Sequence, residues 1–395
     1  MKREMHSDYT KWLKIYTLGN VFYTLAWSLY FTASRIYVKE VLGGTFTDIA
    51  LLTSLEYLPA LFSTVWGYLG DILGRRRIIL IGFLSAPAFM LIGFTGLPWV
   101  LILAFIASLA STIAWPSVVA TVVSDIEESG TRKYSIYAMG GSIGWGMGSI
   151  LMGFLYSLGG IKLVTITVAT FRILATVLFY SVYPKIYRQD VNVTIGGKQT
   201  LRSILENNFL MFFLLAVAIS YFGLEFSYNI LSIKLYSELG RNEIYYGIVF
   251  GGVTAFLGAF FRPIAGRIVD LIGEIRSFAV TLISYTLLLY GLAIAKGWFM
   301  VLLWTIPVYP LYDTAAVTIA SKALPPKVRA TAIGTYGTAI SVAGNLVVIA
   351  GPLADIFGVD KATIFSSILQ LLALMLMLLY YGLKCVLRKK YFEFL

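Results

Sequence analysis

The chain has 395 residues, of which 58% are hydrophobic and only 13% charged, and its mean hydropathy is +0.81. Globular chains average about half apolar and about a quarter charged, so these values exclude a soluble enzyme, a disordered scaffold and a secreted module, and they make lipid the solvent for most of the chain. The net charge of +11 is scattered between apolar runs rather than gathered as a nucleic-acid surface would require, and a single cysteine (Cys385) with a single histidine (His6) excludes an intrachain disulfide and a Cys/His metal cage.

The segment from Met1 to Trp12 is polar, and the first apolar run, from about 13 to 38, is too long for a signal core, so it reads as a retained span. Twelve apolar runs of about 20 residues or more follow one another. Their limits are 14–38, 46–70, 78–96, 98–124, 134–157, 160–183, 208–236, 244–268, 277–296, 298–322, 331–354 and 361–384. None alternates with period two, which predicts helices rather than barrel strands. Most of the 31 Lys and Arg residues, among them Arg75, Arg76, Arg77, Arg132 and Lys133, lie before the first span or in the loops that follow even-numbered spans. The positive-inside rule then predicts cytoplasmic termini. Arg35, Lys39, Lys162, Lys234, Arg241, Lys296 and Lys361 are assigned to the opposite side.

The stretch 184–207 reads as a cytoplasmic linker between bundles of 1–183 and 208–395. Gly67-x-x-x-Asp71-x-x-Gly74-x-x-Arg77 recurs as Gly266-x-x-x-Asp270-x-x-Gly273-x-x-Arg276, an offset of 199 that also pairs Ser28, Arg35, Tyr37 and Trp99 with Ser227, Lys234, Tyr236 and Trp298. After the fourth span of each half the offset slips to 197, pairing Ser124, Arg132, Ile136 and Gly140 with Ser321, Arg329, Ile333 and Gly337. The fold class predicted is an all-α integral membrane protein with twelve helices in two six-helix bundles, related as a parallel repeat. A third copy, Gly351, Asp355 and Gly358, falls on the opposite side of the membrane and lacks trailing arginines.

The run Gly67 to Arg77, at the end of the second of twelve spans, resembles the signature loop of the major facilitator superfamily. Span count, internal repeat, central loop and the trio Pro116, Asp125 and Arg132 extend the resemblance over nearly the whole chain. It implies two bundles rocking about a central site, with spans 1, 4, 7 and 10 lining a cavity and 3, 6, 9 and 12 peripheral. It also implies a gating latch on the cytoplasmic side made by Asp71, Arg75 and Asp125, with Gly67 permitting close helix approach and Gly74 a tight turn. The second copy carries Glu274 where the first has Arg75. Gly140, Gly141, Gly144, Gly146, Gly148 and Gly153 in the fifth span resemble a glycine-rich antiporter motif without its Gly-Pro core, and close helix packing explains them equally well.

Ionisable residues within spans cost at least about 2.5 kcal/mol on insertion scales and mark candidate sites. They are Glu56, Arg172, Glu225, Arg262 and Asp313. Arg262 lies near an edge and is expected to snorkel; Arg172, in a span the resemblance makes peripheral, is expected to form a structural pair. Tyr221, Glu225, Tyr228 and Asn229 share a helical face, as do Tyr309, Tyr312 and Asp313 beside Pro307 and Pro310, and Asn20, Tyr23, Trp27 and Tyr30 form a stripe in the first span. Asn20, Tyr23, Trp27, Tyr221, Glu225, Tyr228, Asn229, Tyr309, Tyr312 and Asp313 are therefore the expected substrate-binding residues. Glu225 and Asp313 are the expected proton carriers, with Glu56 in reserve. Aromatic faces with carboxylates suit an amphipathic or cationic solute, while Asn and Tyr would equally suit a sugar, and an organic anion stays open. With no phosphate-binding loop, energy must come from a gradient. The residues predict a monomeric secondary transporter, with a facilitator, a non-transporting receptor or a membrane enzyme of the same fold as the alternatives; its partners are a small solute, the bilayer and protons, with no catalytic residue, cofactor or metal expected.

Overall fold

The computed structural model describes residues 2–123, 126–181, 206–323 and 329–392, with every regular element among them helical. Helix α1, Lys2–Ile36, ends in a π-helical turn, Tyr37–Val41. Helix α2 joins Phe46–Tyr57, a 3-10 stretch Leu58–Phe62 and Ser63–Leu73, and α3 joins Arg75–Ile81, Gly82–Leu84 and Ser85–Ile92. Helix α4 is Leu97–Val123. Helices α5 and α6 form one run, Ile126–Ser181, broken at Gly160 where φ is 61° and ψ −158°. Then come α7, Asn208–Glu238, α8, Glu243–Ile272, and α9, Glu274–Ile294. Helix α10 is Gly297–Trp304 and Tyr309–Lys322, α11 is Arg329–Phe357 and α12 is Val359–Phe392.

These twelve helices coincide with the expected spans to within a few residues at most ends, but α1 begins 12 residues before its expected span, α5 begins 8 before and α12 ends 8 beyond. Eight helical runs among the described residues are long and apolar enough to cross a membrane by that measure alone, and the 45-residue one, Tyr137–Ser181, holds both α5 and α6. The three others fall short for visible reasons: α1 is rich in Tyr, Thr and Ser, and 3-10 turns interrupt α2 and α3. Local chemistry sets the ends. Thr45 and Asp48 close a capping box at the start of α2, with Thr45 N donating to Asp48 Oδ2 at 2.7 Å and Asp48 N to Thr45 Oγ1 at 3.1 Å. The matched glycines Gly74 and Gly273 both turn the chain at positive φ, 91° and 85°, where a Cβ would be strained. Pro307 and Pro310 lie at the break in α10, as proline's missing N–H requires.

The side where α1 starts and α12 ends is the terminal side, and its opposite the far side. Toward the far side one apolar core crosses the whole molecule, joining Leu29, Phe31 and Ala33 of α1 to Leu231 and Leu235 of α7, Phe250 of α8 and Trp304 of α10. The Phe31 ring lies 5.8 Å from Trp145 of α5 and 5.6 Å from Tyr228 of α7, centroid to centroid. Toward the terminal side the core divides. Leu13, Tyr16, Ile79, Val118, Val122 and Phe179 form one cluster, and Leu210, Phe213, Phe278, Ile319 and Met377 another. The glycines of α5 serve contact between backbones: a Cβ at Gly144 or Gly148 would strike the carbonyl oxygens of Val21 and Leu25 in α1, and one at Gly153 would lie 2.5 Å from the Glu243 carbonyl oxygen of α8.

Candidate functional site

Where the continuous core gives way to the divided one, a cavity of about 860 Å³ opens between the halves. Its lining contains Asn20, Tyr23 and Trp27 of α1, Tyr221, Glu225 and Tyr228 of α7, and Tyr309, Tyr312 and Asp313 of α10. Nine of the ten expected substrate residues thus share one space. Tyr23 stacks on Trp115 of α4 at 4.6 Å, and Asn20 Nδ2 donates to the Tyr137 carbonyl at 2.7 Å. Tyr312 reaches the cavity only marginally: it is 2% exposed, and its ring packs on Phe278 and Tyr285 at 5.2 and 5.9 Å.

The tenth residue, Asn229, does not line the cavity, and the reason corrects a second expectation. Arg35 is not at the membrane surface; it is fully buried, and its guanidinium forks onto Glu56, Nη1 to Oε1 at 2.9 Å and Nη2 to Oε2 at 2.6 Å. Its Nε donates to Asn229 Oδ1 at 2.9 Å, and Nη1 also donates to Ser34 Oγ at 2.9 Å. Thr53 Oγ1 donates to the same Asn229 oxygen at 2.8 Å. The face of α7 that carries Asn229 therefore meets α1 and α2 before it reaches open space. A planar five-donor group buried with its charge matched and its edges occupied is the arrangement in which a buried arginine is tolerated. Glu56 also lines the cavity, but Arg35 occupies both of its carboxylate oxygens.

The next residue of α2 makes the second link. Tyr57 OH donates to Glu225 Oε1 at 2.9 Å, while Glu225 Oε2 is buried with no hydrogen-bond partner among the described residues. The Tyr57 ring fits only because Gly344 of α11 has no Cβ, which would overlap it. Asp313 faces the cavity and pairs with Arg262 at 3.7 Å, both side chains being partly exposed. Arg262 is thus turned inward, over the Tyr309 ring at 5.7 Å, rather than snorkelling to an edge. Arg172 is 1% exposed and forms no ion pair among the described residues, contrary to the expected structural pair.

Asp125, and the side chain of Asp71, lie outside the described residues, so the latch expected with Arg75 stays an expectation. In the second copy of the motif, Glu274 accepts from Lys322 Nζ at 3.0 Å and clasps α9 to α10. The third copy has a role on the far side. Asp355 of α11 accepts from the backbone N–H of Phe46 at 2.8 Å and of Thr47 at 2.9 Å, capping the start of α2 across the two halves. Among the described residues no group of His, Cys, Asp and Glu could hold a metal.

Sequence reasoning missed Arg35 and Tyr57. The sequence paired Arg35 with Lys234 in the repeat and set both at the surface; the structure holds Lys234 inside as well, by the Leu292 and Ala293 carbonyls at 3.0 and 2.6 Å and by Asp360 at 2.7 Å.

The sequence matches the model of the Major Facilitator Superfamily over residues 16–348. It is 27% identical to the "Uncharacterized MFS-type transporter YwoD" of Bacillus subtilis (strain 168) over 160 residues, 38% of this chain and 34% of that one, so the match spans about a third of that relative. The structure is similar to that of a variant of the nucleoside transporter NupG, with a TM-score of 0.77 at 13% identity over 93% of this chain and 99% of that one. It is also similar to a bacterial homologue of the human lysosomal transporter Spinster in an inward-facing and occupied conformation, with a TM-score of 0.75 at 16% identity over 93% and 95%.

Proposed function

The chain belongs to the major facilitator superfamily and is a multi-pass membrane transporter, and on that premise we propose that it carries a small amphipathic organic cation, coupled to protons, by alternating access. The bodies that rock are residues 1–183 and 208–395, and the terminal side is cytoplasmic, as the distribution of Lys and Arg supports. The undivided core on the far side and the divided one on the terminal side then correspond to an inward-open state.

One observation carries the choice of solute. Arg35 is committed to Glu56 and Arg262 to Asp313, whereas Glu225 has one carboxylate oxygen buried without a partner among the described residues, in an aromatic-lined cavity. The unmatched charge of the cavity wall at this level is therefore negative, and an organic cation would meet both the carboxylate and the ring faces of Tyr228 and Trp27. Solvation decides the protonation of such a carboxylate. As access alternates, Glu225 takes a proton from one side and yields it when water or a cation arrives from the other, and competition between proton and solute for the same oxygen gives antiport. Asp313, already beside Arg262, is the secondary carrier.

The test is transport in proteoliposomes with an imposed pH gradient and labelled amphipathic cations, sugars and organic anions. Glu225→Gln is expected to abolish accumulation against a gradient while preserving solute exchange, because a permanently neutral side chain still passes through the cycle. Undiminished accumulation by that variant would place the coupling group elsewhere, and absence of flux for every solute would favour a receptor.

A further inference from the structure

Arg172 of α6 is buried as completely as Arg35 and provided for quite differently. Aromatic rings surround its guanidinium, with Tyr23 at 4.1 Å, Phe89 at 5.0 Å and Trp27 at 5.5 Å from the central carbon. Nη2 donates to Ser111 Oγ at 2.9 Å. Nε and Nη1 are buried and donate to nothing among the described residues. Ring faces stabilise a cation but do not accept its in-plane N–H groups. All five N–H bonds of Arg35 point at side-chain oxygens, of Asn229, Ser34, Thr53 and twice Glu56, and its charge meets Glu56, so this fold does neutralise a buried arginine where it uses one structurally.

Beside Arg172 is a void of about 10 Å³, room for a single water-sized particle. It is lined by Ser85, Ser111, Ala114, Trp115 and Thr176 as well as Arg172. The three hydroxyls already donate to backbone carbonyls: Ser85 to Gly82 at 2.6 Å, Ser111 to Ala107 at 2.7 Å and Thr176 to Arg172 at 2.9 Å. The buried donors lining it that have no partner among the described residues are Nε and Nη1 of the guanidinium. A particle that fits can accept from them, one that carries negative charge also matches the buried cation, and a carboxylate on a carbon chain exceeds the space. Tyr23, Ser111 and Trp115 line both this void and the central cavity, so the two share a wall.

We propose that Arg172 anchors a binding site for a small monatomic anion, chloride in the cell, held by Nε and Nη1 behind the Tyr23–Trp115 wall of the transport cavity. Occupancy matches the buried charge and braces that wall, so the anion is a resident of the N-terminal half rather than the transported solute.

The test uses the full chain purified in detergent and melted in sodium chloride, bromide or gluconate at equal ionic strength. Chloride and bromide are expected to raise the melting temperature by about 2–4 °C over gluconate, saturating with concentration. The rise should vanish in Arg172→Gln and in Ala114→Val, which keeps the arginine but fills the void, so the proposal can be judged even if the first variant folds poorly. Crystals grown in bromide should show anomalous scattering within hydrogen-bonding distance of Nε and Nη1. Identical melting of the wild type in all three salts would overturn the proposal, as would a halide response that survives in both variants. Stabilisation through Arg172 by carboxylate-bearing solutes but not by halides would also overturn it, since the anion would then arrive on the solute.

Discussion

The far and terminal regions are built from the same helices and hold together in different ways. On the far side the halves share one core, with Phe31 against Tyr228 and α5 glycines against the backbone of α8, whereas on the terminal side each half keeps its own cluster. Clusters that stay within one half can persist through a rocking motion. The far contacts cannot, and the polar ones among them are the sort that separate singly: a helix cap from Asp355, the bond to Asn229 from an Arg35 that Glu56 holds within its own half, and an exposed ion pair between Arg241 and Glu40 at 3.3 Å. Their expected strengths differ, which allows the comparison to be tested by degrees.

Glu56→Gln should have the largest effect. It leaves the Arg35 charge buried and unpaired, a loss of about 3–5 kcal/mol, seen as a much lower melting temperature in detergent. Replacing both partners by methionine should restore most of that stability. Equal loss in the single and double variants would mean that the polar network, rather than charge pairing, holds this level together. Asp355→Asn should be intermediate. Weakening the cap on α2 costs about 1 kcal/mol, a roughly fivefold shift toward opening of the far side. A cysteine replacing Ala350, now 1% exposed in the α2–α11 contact, should then react with a water-soluble maleimide about fivefold faster. Unchanged labelling would show that the cap does not report on closure. The smallest effect is expected from Arg241→Ala, since its side chain is 65% exposed and such pairs contribute about 0–1 kcal/mol. Labelling should be unaltered, and any change should disappear in high salt.

Much of the fold was legible because a bilayer asks for long apolar runs and positive-φ turns select glycine: the twelve spans, the break near 159 and the matched turns at Gly74 and Gly273 all follow from those two demands. The candidate site was legible in azimuth and not in depth. Of the face that Tyr221, Glu225, Tyr228 and Asn229 were expected to share, the first three line the cavity, while Asn229 sits where α7 touches α1 and α2. A cation near the end of an apolar run reads as an interfacial residue, and only the return of α2, which brings Glu56 back to it, makes Arg35 a buried one. Arg262 and Asp313 are far apart in sequence and meet by packing alone, which no spacing rule anticipates. The letters of the third motif copy, Gly351 to Gly358, looked displaced from their usual side; they mark a carboxylate whose partner is the first turn of another helix.

The turns on the far face have a practical consequence. Gly160 alone separates α5 from α6 and Gly358 alone separates α11 from α12, at φ of 61° and 82°, and the other far-side connections are confined to 42–45, 93–96, 239–242 and 295–296. A protease added on that face finds almost no chain long enough to draw into its cleft, and an antibody finds helix ends rather than a loop. An epitope inserted at Gly160 or Gly358 would have to replace a turn whose backbone conformation only glycine adopts without strain. Tags, reporters and proteolytic probes of this protein belong on the terminal side.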